Sequence, residues 1–123
     1  MRTCYLLLLS MLLSACGHSV EDQARKLGRR DFTPQSWAAA SELQRGEMIA
    51  SLLDKHEVTR LDYQGVVKLL GEPTGYYDYD SNPAYFVGPD NGRSVYGDRY
   101  MLVFETDKQD GSVDRVFFVP DVD

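Results

Sequence analysis

The feature that most constrains this chain lies at its start, because an apolar run placed there is used by export rather than by folding. Arg2 gives a positive beginning, and Tyr5-Leu6-Leu7-Leu8-Leu9-Ser10-Met11-Leu12-Leu13 follows as an unbroken apolar stretch, the layout of a secretory signal. A helix that crosses a bilayer needs roughly 20 apolar residues. This run reaches about half of that before Gly17, His18, Glu21 and Asp22 end it, so it is too short for a transmembrane anchor. Removal of the segment takes residues 1–15 out of the folding problem.

The run closes on Leu13-Ser14-Ala15-Cys16. Small residues before a cleavage point suit a signal peptidase, and the simplest alternative is an ordinary secretory signal that happens to end in cysteine. The tetrad resembles the lipobox of bacterial lipoproteins. That resemblance implies cleavage before Cys16, a diacylglycerol on its thiol and an N-acyl chain, palmitate among them, on its new amino group. One acyl chain holds a protein marginally and two or more hold it durably. Cys4 leaves with the signal, so Cys16 would be the mature chain's one cysteine, without an intrachain disulfide. Glycine rather than aspartate follows it, which by the same resemblance directs the protein to the outer membrane, facing the periplasm.

With 123 residues, 43% hydrophobic and 26% charged, the chain has room for one domain with an ordinary core. A net charge of -6 argues against nucleic acid, whose binding requires clustered Lys and Arg. From Gly17 to Asp31 the residues are polar and charged, and they predict a flexible or loosely helical tether over 16–32. The expected domain is 33–123.

Within it, Thr33-Pro34 predicts a helix start, and Trp37, Ala40, Leu43, Met48, Ile49, Leu52 and Leu53 recur at helical spacing to about His56, with Gly46 the point of any bend. Trp37 could stack on a ligand or pack in the core. Asp62 caps a second helix through Val66, Val67, Leu69 and Leu70, stopped by Gly71-Glu72-Pro73. Strand formers follow at Tyr76 to Tyr79, Tyr85 to Val87, Tyr100 to Phe104 and Val113 to Val119. Turn chemistry separates them at Ser81-Asn82-Pro83, at 88–92 and at Asp110-Gly111. The expected fold is α+β: two N-terminal helices packed on a three- to four-stranded antiparallel meander. The last strands alternate little, so one sheet face should meet the helices while the other is covered by a loop or offered to a partner.

The segment Leu61-Asp62-Tyr63-Gln64-Gly65-Val66-Val67-Lys68-Leu69-Leu70-Gly71-Glu72-Pro73 resembles the helix-to-strand signature of the SmpA/OmlA (BamE-like) lipoproteins. Arg45, Met48, Leu52 and Leu53 upstream, and the Tyr85-to-Gly88, Tyr100-to-Phe104 and Asp110-to-Val113 segments, fall in the order expected of it. The likeness covers roughly 45–119. It implies a BamE-like ααβββ domain and an accessory role in assembly of outer-membrane proteins, with the β-barrel assembly machinery as partner. The same small architecture also resembles secreted inhibitors of the BLIP-like kind, which leaves a periplasmic inhibitor or ligand binder as the alternative.

Little in the sequence suggests catalysis. Asp78-Tyr79-Asp80-Ser81-Asn82 imitates the start of a calcium loop, but Pro83 and Pro89 stand where glycine and glutamate belong, so a polar turn is expected. His18 and His56 are far apart, and no nucleophile elbow, phosphate loop or dinucleotide fingerprint is present. A non-enzymatic protein-protein interaction module with no cofactor beyond the acyl chains is therefore the expectation. Tyrosine is favoured where contacts need apolar area with a polar tip. The candidate contact residues are Tyr77, Tyr79, Tyr85 and Phe86, with packing as the competing explanation for each.

Overall fold

The computed structural model describes residues 19–89 and 99–123, and the expected cleavage and acylation site at Cys16, His18 and the loop at 90–98 lie outside them. Ser19 accepts a hydrogen bond from Asp22 N and opens α1, Val20–Leu27. This is the first departure from expectation, because the stretch predicted as a tether carries a helix docked on the domain. Val20, Ala24 and Leu27 fall at i, i+4 and i+7 and join the core, with Ala24 fully buried, an amphipathic pattern short enough to be masked by the surrounding charge. Gln23, also buried, accepts from Val122 N near the end of the chain. At the far end, Arg30 N donates to the Glu47 carbonyl, and its guanidinium pairs with the Glu47 carboxylate at 2.8 Å.

The helix predicted from Pro34 to His56 is two. Thr33 caps α2 (Pro34–Ala39), and Ser41 caps α3 (Glu42–Lys55), each through a reciprocal capping box, with Ser36 and Gln44 returning the bond. The break therefore falls at Ala40-Ser41 rather than Gly46, since a second capping serine starts the helix afresh. Gly46 is instead a contact: a Cβ there would lie 2.1 Å from the Gly88 carbonyl oxygen. Gly88 N donates to the Glu42 carbonyl at 2.8 Å, which fixes the first turn of α3 against the end of a strand. A 3-10 turn at Val58–Arg60 leads to α4 (Tyr63–Leu70), capped by Asp62 and ended by Gly71 at φ 84, as its residues predict.

Four strands follow, β1 (Gly75–Tyr77), β2 (Tyr79–Val87), β3 (Tyr100–Thr106) and β4 (Val113–Val119), paired antiparallel in sequence order. Ser81-Asn82-Pro83 is not a turn but the middle of β2. The reversal comes earlier, at Asp78 with φ 64, an acidic residue of the kind that tolerates the left-handed region. Asn82 is buried and acts as a backbone surrogate: its amide donates to Tyr77 O at 3.0 Å and its carbonyl accepts from Thr106 N at 2.9 Å. That use lets a turn-forming residue lie within a strand. The fold is thus α+β, with several helices and a four-stranded antiparallel meander.

The helices cover one sheet face. Tyr85 and Val87 of β2, Tyr100, Leu102 and Phe104 of β3, and Val116 and Phe118 of β4 share a cluster with Trp37, Ile49, Leu52 and Val66. Trp37 has no solvent exposure, its indole N–H donates to the Leu70 carbonyl at 2.9 Å, and its ring meets Phe32 and Tyr85 edge-on. Of the two roles open to Trp37, the core is the one observed.

Candidate functional site

Successive strand residues face opposite sides, so the residues between those core positions form a second surface. Its register is fixed by pairing: Ala84 opposes Val103, which opposes Phe117, and Phe86 opposes Met101, which opposes Val119. Gly75 opposes Ala84 in the same row, and a Cβ on it would already touch the Phe86 ring at 3.4 Å. Small residues thus occupy one end of the face, where large rings lean across them. Ala84, Met101 and Val103 are buried beneath Tyr77, Phe86, Phe117 and Val119. Among the described residues, the cluster consists of sheet side chains.

Cations rim these rings. The Arg99 guanidinium lies 4.0 Å from the Phe86 centroid, Arg115 lies 4.3 Å from that of Phe117, and the Lys108 ammonium lies 3.7 Å from that of Tyr79. Tyr77 meets Phe117 edge-on at 5.6 Å. Arg99 also pairs with Glu42 at 3.0 Å, and Arg115 with Glu105 at 2.7 Å. The hydrogen bond and charge of Glu105 hold the Arg115 guanidinium above its ordinary pKa. Cation–π contacts at exposed sites contribute about 0.5–1 kcal/mol each, which helps to order the rim.

The four residues singled out from sequence divide here. Tyr79 is 54% exposed, and Tyr77 and Phe86 are partly buried on the second face. Tyr85 is not on it: one residue from Phe86, it points to the helices and has no exposure. Its hydroxyl donates to the Gly71 carbonyl at 2.8 Å, and burial pushes its pKa well above the usual phenol range. Tyr85 is a core residue, and the error is one of strand parity. Residues the sequence reading did not select are Met101, Val103, Phe117 and the three rim cations. Phe117 and Val119 lie two apart in β4 and were legible as one face once its parity was known.

The other polar groupings are local. Tyr76, 45% exposed, shares a 3.3 Å hydroxyl contact with Tyr63, and that hydrogen bond raises the Tyr63 pKa to about 12. Asp110 accepts from both the backbone and the hydroxyl of Ser112, which lowers its pKa and closes the β3–β4 turn. In the segment that imitates a calcium loop, the Asn82 side chain is engaged by Tyr77 and Thr106. Among the described residues no cluster of His, Cys, Asp and Glu could hold a metal ion, and no helix is long and apolar enough to cross a membrane.

Comparison with known proteins returns no match, whether to a family model, a curated protein or a solved structure.

Proposed function

We propose that this chain is a membrane-anchored lipoprotein of the bacterial cell envelope, cleaved before Cys16, acylated there, and acting through a non-enzymatic protein-protein contact. The observation that carries the contact is the second sheet face, an aromatic and aliphatic surface built, among the described residues, from sheet side chains and rimmed by Arg99, Lys108 and Arg115. Interface centres favour such aromatic, Met and Arg composition. The lipobox-like Leu13-Ser14-Ala15-Cys16 supports the anchor, with glycine after the cysteine favouring the outer membrane and a domain that faces the periplasm. The resemblance to SmpA/OmlA lipoproteins makes an accessory role in outer-membrane protein assembly the favoured task, with a BamE-like arrangement as the finer description of the fold.

The test is cellular. Native protein should float with membranes, gain the mass of its acyl chains and complement a deletion, and Cys16→Ser should fold normally but lose the acyl mass and the complementation. Full complementation by an unacylated Cys16→Ser chain overturns the tethered-module proposal. If that chain also retains a tight envelope partner, a periplasmic inhibitor takes its place.

A further inference from the structure

The length of chain between the proposed anchor and the first helix has a consequence for where the domain stands. A tether over 16–32 would reach roughly 55–60 Å when extended, whereas the three links from Cys16 to Ser19 reach about 11 Å at most. Helix α1 begins immediately afterwards and is fixed to the body by Ala24 in the core, the Gln23–Val122 bond and the Arg30–Glu47 pair. The domain therefore cannot swing away on a stalk.

The burial of α1 decides what it turns outward. Gln23 and Ala24 are buried, while Glu21, Asp22, Arg25 and Lys26 are exposed, and Arg29 and Arg30 continue the exposed side. Four cations against two carboxylates make this segment net positive in a chain of net charge -6. Beyond it, Arg25, Arg29 and Lys55 line a shallow hollow between α1 and α3, with Glu21, Asp31 and Asp54. Arg25 pairs with Asp22 and Lys55 with Asp31, but each of these four side chains is at least 42% exposed. Such surface pairs contribute under about 1 kcal/mol and exchange readily.

We propose that the exposed face of α1 docks on the bilayer itself, with Arg25, Lys26 and Arg29 against the phosphates of anionic lipid headgroups. The inference rests on acylation at Cys16 for its geometry. Charge complementarity and the short link select the same occupant, because the positive segment is the part of the domain nearest the lipid.

The experiment uses the mature chain, residues 16–123, as Cys16→Ser, so that binding reports α1 rather than acyl chains or the apolar run of the signal. Flotation is measured with vesicles of pure phosphatidylcholine and of phosphatidylcholine with about 30 mol % phosphatidylserine. Each cation near an anionic surface adds about fivefold in partitioning, so the two net charges predict about 25-fold preference for the anionic vesicles, largely abolished at high salt. Lys26→Glu with Arg29→Glu should remove the preference, and Lys108→Glu with Arg115→Glu, on the sheet, should keep it. Circular dichroism checks that each variant folds. Equal binding to both vesicles, or a preference unaffected by the α1 reversal, overturns the inference. The acyl mass of the native protein is read separately, so failure of the anchor and failure of the docking face give different results.

Discussion

Gly46→Ala should destabilise the protein, although alanine in the middle of a helix ordinarily stabilises it by about 1 kcal/mol relative to glycine. The new methyl would stand 2.1 Å from the Gly88 oxygen and 3.1 Å from the Gly88 carbon. Both atoms are backbone and cannot rotate aside. Gly88 has no room to retreat along the helix either, because a Cβ on Gly88 itself would meet Leu43 Cα at 2.8 Å. The end of β2 must then separate from α3, and overpacking of this kind costs about 1–3 kcal/mol. Separation also strains the Gly88–Glu42 backbone bond, whose loss costs about 1 kcal/mol more. Set against the propensity gain, the net loss is about 1–3 kcal/mol. Urea unfolding followed by the fluorescence of Trp37, the chain's one tryptophan, measures it, and a midpoint fall of about 4–8 °C per kcal/mol is expected on heating. Unchanged or increased stability refutes the α3–β2 contact and restores Gly46 to the role of a bend.

Three further outcomes follow from the same geometry. Asn82→Ala removes the acceptor of the Thr106 amide and the donor to Tyr77 O, so thermal unfolding should show a loss of about 1–3 kcal/mol, and a near-neutral result would mean the amide finds another partner. Trp37→Phe loses the bond to Leu70 O and leaves space beside Tyr85, so urea unfolding followed by circular dichroism should show a loss of about 1–3 kcal/mol; wild-type stability would contradict that packing. Tyr85 is held protonated by burial, so its contribution to the unfolding free energy should be level below pH 10 and decline above it, where the unfolded phenol ionises and the folded one does not, by up to about 1.4 kcal/mol per pH unit. Tyr85→Phe should reduce that slope in a pH series of denaturation curves, and an identical slope would place the phenol in solvent.

Much of the frame is legible in the residues because it depends on local chemistry. Asp62 and Gly71 delimit α4 by capping and by a positive backbone angle, and Asp110-Gly111 marks the last hairpin. The misreadings share a cause, which is that partners distant in sequence decide the outcome. The helix α1 carries four charged residues in eight and is held by a buried bond to Val122 at the far end of the chain. Ser81-Asn82-Pro83 has turn composition, yet Thr106 and Tyr77 recruit the asparagine into a sheet. Tyr85 and Phe86 are equally apolar in sequence, and only pairing with Leu102 and Met101 assigns one to the core and the other to the second face. Three-quarters of the candidate contact set survives that assignment as residues of the second face or its rim, and its cations could not be located before the register was known.

The central claim is that the face carrying Phe86 meets an envelope protein while the acyl chains hold the domain in place. In-cell photocrosslinking tests it most directly, with a photoreactive residue at Phe86 or Tyr79, at Tyr85 as the buried control, and in native and Cys16→Ser backgrounds. The account predicts one recurrent protein adduct from Phe86 and Tyr79, none from Tyr85, and loss of the adduct without the acylated cysteine. Adducts only with lipid from Phe86, or no difference between the second-face and buried positions, would contradict it.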